Sequence, residues 1–144
     1  MIYTTLTQKA MRIAFEAHKE QTDKNGIPYI YHPIHLAEQM SDEATTCVAL
    51  LHDVIEDTDM TFEQLQAEGF TPEMMDALRL MTHDERIPYL DYVAEIKKDS
   101  IAAKVKLADL KHNSDLTRLD HVDERAIRRV EKYKKAIDLL TNNM

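Results

Sequence analysis

The apolar positions of this chain recur at helical spacing almost from end to end. Leu6, Ala10, Ile13, Ala14 and Ala17 follow the i, i+3, i+4 rule and predict an amphipathic helix over about residues 4–20. From Thr22 to Pro28 the pattern lapses, and Asn25-Gly26 marks a turn. Pro33 fits the first turn of a short helix running to about Met40, where its missing N–H is not needed. Ser41 can cap a helix over about 42–57, with Ala44, Val48, Leu51 and Ile55 on one face. Thr61 and Gln64 stand at capping-box spacing, and Gly69 closes that short helix. Thr71-Pro72 opens another, to about Met81. Further helices are predicted over about 88–97, 100–116 and 122–141. The last carries Val122, Ala126, Val130, Tyr133, Ile137 and Leu140 on one stripe. No segment alternates as a half-buried strand does. The expected fold is all-α, a compact helical bundle forming one domain over 1–144.

Composition narrows this further. A length of 144 residues suits one core, and two glycines with four prolines argue against an all-β protein rich in tight turns. No apolar run approaches the ~20 residues of a membrane span. The N-terminus lacks a signal-peptide pattern. Cys47 is the single cysteine and sits among aliphatics, which reads as a buried thiol in a chain without an intramolecular disulfide. The cytoplasm is the expected location. A net charge of −8 argues against binding duplex nucleic acid or an anionic membrane. It leaves room for a small anionic substrate in a locally cationic pocket. Nothing in the pattern specifies an oligomeric state.

The candidate chemistry lies in the run from Ala49 to Thr58. Aliphatic residues deliver His52-Asp53, and Glu56-Asp57 follows one turn later. Burying these charges needs compensation, which a metal ion supplies. On a helix, neighbours one apart differ by about 100°, so His52 and Asp53 can reach one ion. Glu56 shares their face, and Asp57 stands four beyond Asp53. A second helix presents Asp109, with Asn113 four residues on, and His32 comes from the connection after the loop. His32, His52, Asp53 and Asp109 form a mixed nitrogen and oxygen set, which suits Mn, Fe, Co or Zn better than Mg or Ca. Four protein ligands on an ion that accepts six leave positions for water and a phosphoryl oxygen. Glu56 suits general acid–base work, and Asn113 suits holding a substrate oxygen.

Each residue also has a plainer reading. His32 can be a helix-start residue, and Asp109 can pair with Lys106 on a wet face. Glu56-Asp57 can be a solvated helix end, and Lys104, Lys106 and Lys111 a charged face. His35 reads as an exposed neighbour of His32. A second dipeptide, His83-Asp84, lies in a polar segment before Pro88 and reads as a solvated loop.

Three segments together resemble the HD superfamily of metal-dependent phosphohydrolases. The likeness is greatest to the hydrolase domain of RelA/SpoT alarmone enzymes and their small relatives. The segments are Gly26-Ile27-Pro28-Tyr29-Ile30-Tyr31-His32-Pro33-Ile34, Leu50-Leu51-His52-Asp53-Val54-Ile55-Glu56-Asp57-Thr58, and Val105-Lys106-Leu107-Ala108-Asp109-Leu110-Lys111-His112-Asn113. The second matches the family's HDxxED motif. The resemblance implies an all-helical fold, a divalent transition metal, usually Mn²⁺, and removal of the 3′-pyrophosphate of (p)ppGpp. It implies His32, His52, Asp53 and Asp109 as metal ligands, Glu56 and Asp57 as catalytic groups, and Lys24, Tyr29, Asn113 and Arg118 as substrate contacts. With no room for a synthetase domain after residue 144, hydrolysis alone is expected. The chain departs from the family in two places. The loop before His32 reads Thr22-Asp23-Lys24-Asn25 where an Arg-Lys pair is usual, so Asp23 puts negative charge beside the expected phosphates. Leu116 stands where a Thr is usual. Alternative readings are another nucleotide phosphatase on the same site, a non-catalytic nucleotide-sensing HD module, and a metal-free helical protein.

Overall fold

The computed structural model describes residues 1–142. The helices are α1 (Thr5–His18), α2 (Tyr31–Glu38), α3 (Glu43–Leu51), α4 (Val54–Asp57), α5 (Phe62–Ala67), α6 (Pro72–Met81), α7 (Tyr89–Lys97), α8 (Ser100–Asn113) and α9 (Glu124–Thr141), with a 3-10 turn at Leu116–Arg118. No strand occurs among the described residues beyond an isolated bridge between Thr22 and Pro28. The all-α expectation holds.

The bundle is organised around α3. Its residues Thr45 to Leu51 are all buried, as befits a helix that is apolar all round. It packs against α1, α2, α6 and α8, and α9 closes the bundle over α7 and α8. Local chemistry sets the helix ends. Thr4 with Thr7 and Thr61 with Gln64 form capping boxes, Thr71 caps α6 ahead of Pro72, and Asp99 caps α8.

Five boundaries depart from the sequence pattern. The helix expected over 42–57 is two helices, α3 and α4. His52 Nδ1 donates to the Ala49 carbonyl at 2.7 Å, the acceptor residue 53 would use in an unbroken helix. Asp53 then adopts φ −100°, ψ −2°. Asp42, not Ser41, caps α3, because its carboxylate accepts from both the backbone N–H and the hydroxyl of Thr45. Helix α2 begins at Tyr31, so His32 is helical and not part of the connection before it, while Pro33 sits in the first turn as expected, where proline costs nothing. Helix α8 stops at Asn113 rather than 116, and Asp115 caps the 3-10 turn that follows. Helix α9 starts at Glu124 with Asp123 as its cap, which leaves Val122 outside the helix and exposed.

Candidate active site

The helix break, the first turn of α2 and the C-terminal half of α8 bring the predicted ligands to one buried point. His32, His52 and Asp109 each offer an atom within 4.8 Å of the others, and all three are buried. Asp53 completes the group. Its Oδ2 lies 3.0 Å from His52 Nε2 and 4.0 Å from His32 Nε2. Because Asp53 leaves the helix, it reaches the same point as His52 by a turn of the chain.

The donor set fits a cation. His52 Nδ1 is committed to the Ala49 carbonyl, which fixes the tautomer with a bare Nε2. That buried Nε2 has no hydrogen-bond partner among the described residues. It faces the carboxylates of Asp53 and Asp109, at 3.0 and 3.5 Å. The 3.0 Å approach of Asp53 lies outside hydrogen-bonding geometry. A lone pair aimed at two carboxylates is repulsive unless a proton or metal ion lies between them. In the metal-free chain the proton takes this place. Burial alone would lower His52, but the charges of Asp53 and Asp109 raise it well above the ordinary histidine value.

Neighbouring groups fix each ligand. His32 Nε2 meets Asp109 Oδ1 at 2.8 Å, and its Nδ1 meets His112 Nδ1 at 2.7 Å. His112 is pushed down to about 4 by burial and by the positive charges of Arg118, His32 and His35, so it is neutral near pH 7. Neutral His112 can accept the Nδ1 proton of His32 and free Nε2 for an ion. Asn113 Nδ2 donates to Asp109 Oδ1 at 3.0 Å. Tyr29 donates its hydroxyl to Asp53; burial and the charge of Asp53 raise it from its ordinary value and keep the proton in place.

The plainer reading of Asp109 is half right. It does pair with Lys106, at 3.0 Å, but the pair is buried, with side-chain exposures of 8% and 12%. Burial would raise Asp109, and the Lys106 charge, a hydrogen bond from His32 and the nearby His52 hold it well below. Lys106 therefore leaves the predicted charged face, and only Lys104 and Lys111 remain exposed there. The rings of Tyr89 and Tyr92 lie 5.9 and 5.4 Å from its ammonium. His35 is exposed as expected and stacks on His112.

A hollow of about 260 Å³ opens beside the cluster, and Glu56, Asp57, His83 and Tyr133 line it. Glu56 Oε1 accepts from the His83 backbone N–H at 2.6 Å. Asp57 is raised by burial and by the charge of Asp53. The solvated-loop expectation for His83-Asp84 is thus corrected at His83, which turns inward, stacks on Tyr92 at 4.4 Å and reaches the Ile87 carbonyl. Asp84 stays at the surface, paired with Arg86.

Next to it lies a second hollow of about 330 Å³, which shares Tyr29, Asn113 and Tyr133 with the first. Lys24, Arg118 and Arg129 line it, so the predicted substrate contacts Lys24, Tyr29, Asn113 and Arg118 gather in one cleft. Of these lining residues, the sequence pattern places Tyr133 on the core stripe of the last helix and does not single out Arg129. Asp23 does not project freely into this cleft. Its carboxylate accepts from the backbone N–H groups of Asn25 and Ile27 and lies 4.0 Å from Arg118. Asn25 ties the loop to the Arg118 carbonyl.

A sequence profile of the HD domain matches residues 10–136. The chain belongs to the HD-domain family. Among its relatives is the guanosine-3′,5′-bis(diphosphate) 3′-pyrophosphohydrolase of Aquifex aeolicus (strain VF5). It is 36% identical over 140 residues, which cover 89% of this chain and 19% of that protein. The bifunctional (p)ppGpp synthase/hydrolase SpoT of Escherichia coli (strain K12) is 31% identical over 121 residues, 74% of this chain and 17% of that one. The HD chain described here spans about a fifth of the length of these relatives. A solved structure, described as a metazoan ortholog of SpoT that hydrolyzes ppGpp and plays a role in starvation responses, superposes with a TM-score of 0.81. It is 28% identical, and the match covers 99% of this chain and 89% of that one. No helix of the described residues is long and apolar enough to cross a membrane.

Proposed function

We propose that this HD domain, spanning 1–144, is a metal-dependent phosphohydrolase that removes the 3′-pyrophosphate from guanosine-3′,5′-bis(diphosphate). The observation that carries the reading is the bare, buried Nε2 of His52 facing two carboxylates in a hollow that adjoins a cation-lined cleft. The activities for which the relatives and the superposed structure are named supply the substrate.

His32, His52, Asp53 and Asp109 would hold the ion, with Mn²⁺ the reading the family and the donor set favour. When bound, the ion supplies Lewis-acid polarisation of a phosphoryl oxygen and acidifies water. The remaining work falls to the chain. Lys24 and Arg118 draw the phosphates into the cleft, and Asn113 meets a substrate oxygen at its floor. Glu56, fixed by the His83 N–H, orients the attacking water and takes its proton. The water oxygen bonds to the phosphorus attached to ribose O3′, and the P–O3′ bond breaks. Asp57 is the group inclined to carry a proton, and it supplies one to the departing O3′. The products are guanosine 5′-diphosphate and pyrophosphate. The cytoplasm is the compartment we assign.

Turnover of guanosine-3′,5′-bis(diphosphate), NADPH and nucleoside mono- and triphosphates with Mn²⁺, with products resolved, tests this reading. Guanosine 5′-diphosphate and pyrophosphate in equal amounts are the expected products. Efficient turnover of another nucleotide alone moves the protein to a different phosphatase. Binding without turnover makes it a sensor.

A further inference from the structure

Arg125, Arg128, Arg129 and Lys132 stand at i, i+3, i+4 and i+7 on α9, so they share one face. They surround a surface hollow of about 390 Å³. Helix α9 carries six basic and three acidic residues in a chain whose net charge is −8. Several exposed cations elsewhere pair with carboxylates: Lys9 with Glu68, Lys19 with Glu16, Arg79 with Asp76, Arg86 with Asp84 and Lys98 with Glu95. Among the described residues, none of the four α9 cations has a carboxylate within 4.0 Å. Four like charges held together with no carboxylate in ion-pair contact repel one another, and a bound anion relieves that repulsion.

The α9 hollow continues the cleft. Arg129 lines both it and the middle hollow, and the middle hollow shares Tyr29, Asn113 and Tyr133 with the hollow beside the ligand cluster. Three hollows thus run in series, with the cluster at one end and unpaired arginines at the other. We propose that the α9 hollow is a second anion site, which binds the phosphates at the 5′ end of a nucleotide whose 3′ phosphates lie at the cluster. The inference rests on the hydrolase reading above and extends it. The protein selects nucleotides phosphorylated at both ends, and the number of 5′ phosphates sets KM while leaving the chemical step alone.

Steady-state kinetics on guanosine 3′-diphosphates carrying one, two or three 5′ phosphates provide the test, with the wild type and Arg125→Gln/Arg128→Gln. Both side chains are exposed, and Gln keeps helix propensity, so folding is preserved. Wild-type KM should fall as 5′ phosphates are added. The double variant should raise KM about tenfold or more for the 5′-diphosphate at unchanged kcat, since charge-assisted hydrogen bonds to two arginines are removed. Arg125→Lys/Arg128→Lys should recover most of the loss, and added salt should shrink the gap between wild type and variant. An equal KM change across the series, or none, overturns the inference. Calorimetric binding of inorganic pyrophosphate without added metal reads the hollow independently of turnover. Binding weakened at least tenfold in the double variant supports the site even if these nucleotides are not substrates. Equal binding by both proteins, or none, overturns it whatever the activity.

Discussion

Lys106→Met offers a quantitative probe of the cluster. Methionine keeps the unbranched stem between Tyr89 and Tyr92 and removes the ammonium that pairs with Asp109 at 3.0 Å. Removing one partner of a buried pair costs ~3–5 kcal/mol, because the other charge is left uncompensated. Asp109 keeps His32 and Asn113 as hydrogen-bond donors, so the low end, about 3 kcal/mol, is expected without metal. A bound cation supplies Asp109 with a new counter-charge, and the loss should shrink to about 1 kcal/mol with saturating Mn²⁺. Linkage turns the ~2 kcal/mol difference into about 30-fold tighter metal binding by the variant. Urea unfolding with chelator and with Mn²⁺, at matched slopes, measures both losses, and calorimetry measures the affinity. Equal destabilisation in the two conditions would refute the reasoning, as would a loss below about 1 kcal/mol without metal.

Other consequences follow from the same geometry. Glu56→Gln should retain the metal and reduce kcat by roughly 10²–10⁴-fold, the usual value of acid–base assistance; near-normal turnover would make Glu56 a bystander held by His83. Mn²⁺ affinity should rise with pH through the neutral range. His52 is raised well above the ordinary histidine value in the metal-free chain, so below that raised pKa a proton must leave before the ion binds; proton release measured by calorimetry in buffers of different ionisation enthalpy checks this, and pH-independent affinity contradicts it. Asp23→Asn should lower KM for the guanosine substrate with kcat little changed, because Asn still accepts from Asn25 and Ile27 while Arg118 loses a competing anion. An unchanged KM would mean that Arg118 is engaged through its bonds to the His112 carbonyl and Asn113 alone.

What the sequence made legible is what local rules encode. The 3.6-residue period placed the helices, Thr61-Gln64 and Thr71-Pro72 marked two starts, and three separated segments pointed to one cluster of His32, His52, Asp53 and Asp109. The break at His52-Asp53 was invisible because the apolar pattern runs on through Val54 and Ile55; a side-chain bond to a single carbonyl makes it. Lys106 and Asp109 look the same at i, i+3 whether wet or dry, and only the approach of Tyr89 and Tyr92 from α7 decides. His83 belongs to a polar loop whose inward turn depends on the Ile87 carbonyl and the Tyr92 ring. Tyr133 and Arg129 follow the ordinary pattern of an amphipathic helix, and their place in the cleft comes from how α9 crosses α7 and α8.

Anomalous scattering from crystals grown with Mn²⁺ tests the central claim most directly. One strong peak per chain, bounded by His32, His52, Asp53 and Asp109 and absent after Asp53→Ala, is the expected result. A cluster that stays free of metal, with a protonated His52 bridging Asp53 and Asp109, or an ion bound elsewhere in the chain, would contradict the account.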